Sequence, residues 1–288
     1  MSLKSRSKKS QEEKASLLPT ADCPLSAFPL IIGHRGAAAV APENTLISFE
    51  RALDDGADGI EFDVRLARDG VAVVIHDATL RRTALRKGLV RNFSSAELSA
   101  MDAGSWFNLR HPALARAEFA EAKIPTLSSV FEMLSEGDAL LYVEMKCGAR
   151  DRAPLASAVV RLIQRYSLQG RVVVESFDHP SIVEIKRLDA SLRTAALFDR
   201  KLTRPSPSAR WMIERAINCG AEEIALQRSL ATRRTVGQAA QRGLRTIVWT
   251  ADNPSWVARA MKSGVRAIIT NSPATMCARR KQLLDEKA

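Results

Sequence analysis

The chain has 288 residues, 46% hydrophobic and 26% charged, with a formal net charge of +11 at pH 7. That is an ordinary soluble globular composition, and the length suffices to bury a core without disulfide or metal staples. Four cysteines, Cys23, Cys147, Cys219 and Cys277, stand far apart, which excludes a CxxC zinc or redox motif and fits thiols in a reducing, cytoplasmic compartment.

Residues 1–27 begin "MSLKSRSKKSQEEK", polar and basic with no apolar h-region. They read as a disordered basic tail, neither a secretory signal nor a membrane span. The tail carries five basic and three acidic residues, so most of the positive excess belongs to residues 28–288. Such charge suits a nucleic acid, an anionic membrane surface or an anionic small molecule. No Arg/Lys helix with interleaved aromatics occurs, and there are only 15 aromatics in all. Neither a nucleic-acid partner nor stable membrane insertion is expected, and the oligomeric state is left open.

Strand-like runs then follow at 30–34, 59–66, 139–146, 171–177, 193–198, 222–227, 244–250 and 265–270, with helical patterns between them. In "NTLISFERALDDG", Leu46, Phe49, Ala52 and Leu53 share one face, with Asn44 as the expected N-cap and Gly56 past the end. Eight strands alternating with helices in residues 28–288 predict a (β/α)8 TIM barrel as one domain. A doubly wound open sheet is the rival, but no GxGxxG follows the first strand.

One interval breaks the rhythm. Only Ala67-Arg68-Asp69-Gly70 separates Leu66 from Val71, too little for a parallel crossover. Residues 71–77 are therefore expected to turn back antiparallel on 59–66 through a hairpin. Residues 78–123 become a small insertion after the second barrel strand, with a short helix opened by Ser94-x-x-Glu97. The helix that returns to the barrel is expected near Thr126.

Along "GIEFDVRL", Ile60, Phe62, Val64 and Leu66 face one way and Glu61, Asp63 and Arg65 the other. The apolar face belongs against the helices, so the carboxylates face the barrel interior, where they are costly unless a cation neutralises them. A two-residue or a four-residue hairpin turn brings His76 onto the same face; a three-residue turn flips it away. "LLYVEMK" repeats the alternation and turns Glu144 and Lys146 inward. With His34 and Arg35, these residues lie at or near the C-terminal ends of strands, where barrel enzymes hold their active sites. Three carboxylates without thiolates favour a hard divalent cation, Mg2+ or Ca2+. Two histidines can divide general-acid and general-base work, and Arg35 and Lys146 can neutralise phosphate oxygens. Together they fit phosphodiester cleavage.

The motifs GHRG (33–36), PENT (42–45), EFDV (61–64), HD (76–77), LRRT (80–83), DAGSWF (102–107), VEMK (143–146), SF (176–177), VWT (248–250) and IIT (268–270) cover the chain from about residue 31 to 275. In these motifs the chain resembles the glycerophosphodiester phosphodiesterase family, a branch of the phospholipase-C-like barrels. The resemblance implies His34 and His76 as the catalytic pair and Glu61, Asp63 and Glu144 as metal ligands. Arg35 would hold phosphate, Lys146 would contact phosphate or orient Glu144, and Glu43 and Asn44 would support the first loop. Gly36 would let the chain bend away from the site. The implied reaction converts a glycerophosphodiester, a small-molecule substrate, to an alcohol and sn-glycerol 3-phosphate. Trp249 would line the glycerol pocket or pack within the barrel. The chain departs from the family at Asn271, where an acidic residue is common after the last strand, and at "TADNP" (250–254), in place of a more usual Thr-x-Asn. A catalytically silent, polyanion-binding barrel would be marked by loss of a histidine or a carboxylate, and none is lost.

Overall fold

The computed structural model describes residues 28–200 and 206–286; the expected tail, residues 1–27, lies outside the described residues. Strand β1 (Leu30–His34) pairs in parallel with β2 (Gly59–Leu66), and the short β3 (Ala72–Val74) folds back antiparallel on β2. Strands β4 (Leu140–Met145), β5 (Val172–Ser176), β6 (Arg193–Phe198), β7 (Glu223–Gln227), β8 (Arg245–Trp249) and β9 (Ala267–Thr270) continue from β2 in parallel. β9 pairs back on β1, so eight parallel strands close into a barrel. The expected (β/α)8 architecture is present, with most strand ends within two residues of the sequence expectation.

The alternation along the strands explains the layers. Ile60, Phe62 and Val64 of β2 and Leu141, Val143 and Met145 of β4 are buried in one cluster with the flanking helices. Helix α1 (Leu46–Asp54) adds Phe49 and Ala52 to that cluster, with Phe49 and Phe62 rings 5.5 Å apart. Each such fully buried side chain contributes roughly 1.5–3 kcal/mol, mostly offset by the entropy of ordering the chain. The other strand face fills the barrel: Ile32, Tyr142, Val173, Ala225, Ile247 and Ile269 form an interior cluster. Above it the interior turns acidic, with Glu61, Asp63, Glu144 and Glu175 all buried.

Thr45, not Asn44, caps α1, because the Thr45 side chain accepts the Ser48 N–H. The remaining sequence between β3 and β4 holds α2 (Ser95–Ser99), α3 (Ser105–Arg110) and α4 (Leu127–Met133). Ser94 and Glu97 form the expected capping box on α2, and Thr126 caps α4. Residues of 78–123 have small clusters of their own, Leu80, Val90 and Leu98 against Val73 and Ile75, and Trp106 with Phe107 and Phe119. Helices α5 (Arg152–Arg165), α6 (His179–Leu188), α7 (Ala209–Asn218), α8 (Arg233–Gln241), α9 (Ser255–Ser263) and α10 (Pro273–Asp285) complete the outer layer.

The expected hairpin is present, and of the turn lengths open from the sequence it takes the three-residue one. Leu66 lies opposite Ala72, and Ala67 N–H reaches Val71 O at 2.9 Å, so Arg68, Asp69 and Gly70 form a three-residue turn. Gly70 sits at φ 77°, the left-handed position that such turns require. That register would face His76 away from the carboxylates if the ladder continued. The strand instead ends at Val74, and His76 lies in a bend beyond it.

Candidate active site

The site starts where β1 ends. Arg35 follows at φ 52°, a left-handed conformation rare for a side chain of this size. Its surroundings hold it there: Arg35 N–H donates to Glu61 Oε2 at 3.1 Å, Nη1 to Glu43 Oε1 at 2.8 Å, and Nε lies 3.1 Å from Asp63 Oδ2. Gly36 continues at φ 86°, and a Cβ there would come within 2.5 Å of the Ser48 backbone. The left-handed φ and the close approach of α1 both demand glycine at this position.

Strands β2 and β4 bring the carboxylates together. Glu61, Asp63 and Glu144 each offer an oxygen, all within 4.8 Å of one another, and all three residues are buried. Asp63 pairs with Glu144 across the β2–β4 ladder, which explains the convergence. Asn44, at φ 58° and 4% exposed, clamps Asp63 from two sides. Its Nδ2 donates to Asp63 Oδ2 at 2.8 Å, and its Oδ1 accepts Asp63 N–H at 3.2 Å. Lys146 Nζ lies 2.6 Å from Glu144 Oε1 and 3.2 Å from Asp63 Oδ1.

Burial, then the charge of Asp63, pushes Glu61 well above the usual carboxylate range and Glu144 up to about 7. Asp63 goes the other way: burial opposes its ionisation, but the Arg35 and Lys146 charges outweigh it. Buried Glu61 Oε1 has no hydrogen-bond partner. An oxygen-only donor set with mutual repulsion and an orphaned carboxylate oxygen fits a hard divalent cation.

The two histidines come from different segments, His34 from the end of β1 and His76 from the bend after β3. His34 Nε2 stands 3.8 Å from Glu61 Oε2, and its Nδ1 meets Asn271 Oδ1 at 2.7 Å. Burial, with help from the Arg35 charge, lowers His34 to about 4, so the ring is neutral near pH 7. His76 Nδ1 lies 2.7 Å from Asp77 Oδ1, and Arg65 Nε donates to the His76 carbonyl at 2.7 Å. Burial lowers His76 too, while the Asp63 charge opposes that shift. Arg82 links the partners of His76 and Arg35, donating to Asp77 through Nε and to Glu43 through Nη1 and Nη2, each at 2.7 Å.

A cavity of about 260 Å3 is lined by His34, Arg35, Glu61, His76, Glu144, Lys146 and Trp249, among others. Of the catalytic, phosphate-binding and metal-binding residues expected from sequence, Asp63 alone does not line it and is fully buried, and the loop-supporting Glu43 and Asn44 also lie off it. Trp249 packs edge-on against Phe177, ring centroids 5.4 Å apart, and its Nε1 donates to Ala225 O at 3.2 Å. Lys146 Nζ stands 5.6 Å from the Phe177 ring. Sequence reasoning missed Arg65, Asp77, Arg82 and the cavity-lining Glu175 as parts of this site. Arg65 and Glu175 were visible in strand alternation, Asp77 stands in the HD motif and Arg82 in the LRRT motif; only the pairing of Arg82 with Glu43, 39 residues away, leaves no local signal.

The model of the Glycerophosphoryl diester phosphodiesterase family matches residues 34–275. The chain belongs to this family. A glycerophosphodiester phosphodiesterase of Caldanaerobacter subterraneus subsp. tengcongensis is 34% identical over 247 residues, covering 86% of this chain and 96% of that protein. One from Bacillus subtilis is 30% identical over 251 residues, covering 85% of this chain and 84% of that protein. Among solved structures, an Oleispira antarctica phosphodiesterase in complex with the product sn-glycerol-3-phosphate superposes with a TM-score of 0.78 at 26% identity, over 88% of this chain and 97% of that one. No helix among the described residues is long and apolar enough to cross a membrane.

Proposed function

We propose that the chain hydrolyses glycerophosphodiesters to an alcohol and sn-glycerol 3-phosphate, with a divalent cation and a two-histidine acid/base pair. The observation that carries this reading is the convergence of His34, His76, Arg35, Lys146, Glu61 and Glu144 on one cavity at the C-terminal end of the barrel, with buried Asp63 offering an oxygen within 4.8 Å of both glutamates.

Neutral His34 suits the proton acceptor. It takes the proton of the nucleophile, either a water or the adjacent hydroxyl of the substrate's own glycerol; in the second case water then opens the cyclic phosphate. His76, backed by Asp77, suits the proton donor to the leaving alkoxide. Arg35 and Lys146 neutralise the non-bridging oxygens. Glu61, Asp63 and Glu144 would hold Mg2+ or Ca2+, which when bound supplies Lewis acidity and offsets phosphoryl charge. Phe177 and Trp249 form an apolar wall for the glycerol carbons. Residues 28–288 act as one barrel domain in this reading, with 78–123 as an inserted rim. A cytoplasmic setting is part of it, supported by the free thiols of Cys147, Cys219 and Cys277.

A second reading takes a glycerophosphodiester that carries an acyl chain. A neighbouring crevice of about 540 Å3, lined by Arg82, Arg81, Trp106 and the exposed Leu85 and Leu109, favours it. Product analysis decides between them. Glycerophosphocholine and glycerophosphoethanolamine should yield the free alcohol and sn-glycerol 3-phosphate. Turnover of lysophosphatidylcholine alone would select the acyl-chain reading, and no turnover of any of these would end both.

A further inference from the structure

The two departures from the family pattern meet in space. Asp252, after β8, and Asn271, after β9, are 19 residues apart and hydrogen-bonded to each other. The exposed Asp252 carboxylate gathers three donors. Oδ1 accepts Asn271 N–H at 2.7 Å and Thr270 Oγ1–H at 2.9 Å, and Oδ2 accepts Asn271 Nδ2–H at 2.9 Å. An amide whose nitrogen is given to a carboxylate must present its oxygen on the opposite side. That oxygen is the atom 2.7 Å from His34 Nδ1. An amide oxygen only accepts, so the His34 Nδ1 must carry the ring proton. Turning the amide over would set its oxygen against the Asp252 carboxylate and leave two acceptors facing each other.

We infer that Asn271 and Asp252 are a positioning pair: Asp252 orients the Asn271 amide, and the amide fixes His34 as the Nδ1–H tautomer with the Nε2 lone pair turned into the cavity. Among the described residues the pair makes no hydrogen bond or ion pair to Arg35, Lys146, Glu61, Asp63 or Glu144; its side-chain link to the site is His34, while Asn271 O accepts the Ala39 N–H at 3.0 Å. In this chain a neutral amide meets the imidazole, and the acid stands one step further back. The imidazole thus receives direction from a neutral partner, while the charge sits at the solvent-facing end of the relay. The kinetic consequence rests on His34 being the proton acceptor of the proposed reaction; the tautomer does not.

The test combines histidine side-chain 15N NMR with steady-state kinetics on glycerophosphocholine. His34→Gln identifies the His34 signals among those of the four histidines. The wild type should show His34 protonated at Nδ1 only. Asn271→Leu should abolish that signature and lower kcat by roughly 10–100-fold with KM little changed, the usual span for a lost orienting partner. Asp252→Ala, at an exposed position, should mix the two tautomers and lower kcat less; it carries the test should Asn271→Leu fail to fold. The double exchange Asp252→Asn with Asn271→Asp rebuilds the donor–acceptor pairing in reverse and should recover kcat to within about 10-fold of wild type. His34 protonated at Nε2 in the wild type, or full kcat in folded Asn271→Leu, would overturn the inference. A protein that turns over no glycerophosphodiester, yet shows the Nδ1–H signature and loses it in Asn271→Leu, would end the proposed function and leave the positioning pair standing.

Discussion

Replacing Asn44 by alanine tests whether a residue outside the carboxylate triad sets its geometry. Three losses coincide in Asn44→Ala. The bond from Nδ2 to the Asp63 carboxylate goes, at about 1.5–3 kcal/mol for a hydrogen bond to a charged group. Asp63 N–H loses its acceptor in a fully buried setting, about 1–3 kcal/mol. Alanine must also take up φ near 58°, about 1–2 kcal/mol. Neighbouring terms do not add fully, so a net loss of roughly 3–5 kcal/mol is expected. Urea denaturation of chelated protein measures it. Asn44→Gly removes the backbone strain but not the lost bonds, and should sit about 1 kcal/mol above Asn44→Ala. Both variants should bind Mg2+ or Ca2+ about 10–100-fold more weakly, because Asp63 loses the partner that orients it. A loss below about 1 kcal/mol with unchanged cation affinity would refute the clamp.

His34→Ala and His76→Ala should each lower kcat by roughly 10²–10⁴-fold, the range for general acid–base groups, while thermal midpoints stay near wild type. Near-wild-type turnover in either variant would remove that histidine from the mechanism. Arg82→Met should change the acid limb of stability. Partial burial opposes the ionisation of Asp77, but hydrogen bonds from Arg82 and His76 hold it down to about 2. A depressed carboxyl stabilises the fold above its unfolded value and loses that contribution as pH falls from about 4 through about 2. Melting curves across that window should show the gap between wild type and Arg82→Met closing at the acid end. A constant gap would mean that the Arg82–Asp77 pair is not what responds to pH.

The period-two pattern of β2 and β4 made the barrel interior legible: Glu61, Asp63 and Glu144 turn inward because their apolar neighbours pack against helices. The capping box at Ser94 and Glu97 was equally legible, since capping depends on residues within one turn. The hairpin register was not. It depends on Gly70 adopting a left-handed φ, and Asp-Gly tolerates more than one turn length. His76 reaches the cavity for a different reason than strand alternation gives, through a bend pinned by Arg65. Asn44 read as a helix cap because Asn commonly caps, yet Thr45 beside it satisfies the helix and frees Asn44 for Asp63. The Asn271 contact with His34 closes the barrel across 237 residues, so the sequence shows two odd residues and only the closed fold shows that they belong together.

The most direct measurement is glycerophosphocholine turnover by chelated protein, before and after return of Mg2+ or Ca2+. Three buried carboxylates, each with an oxygen that lacks a hydrogen-bond partner, repel one another without a cation. Chelation should therefore abolish turnover, and either ion should restore it and raise the thermal midpoint, with zinc dispensable. Glu61→Gln should weaken both responses together and leave the fold intact. Full activity in the chelated protein, with no change in midpoint when the cation returns, would contradict the three-carboxylate site and the mechanism built on it.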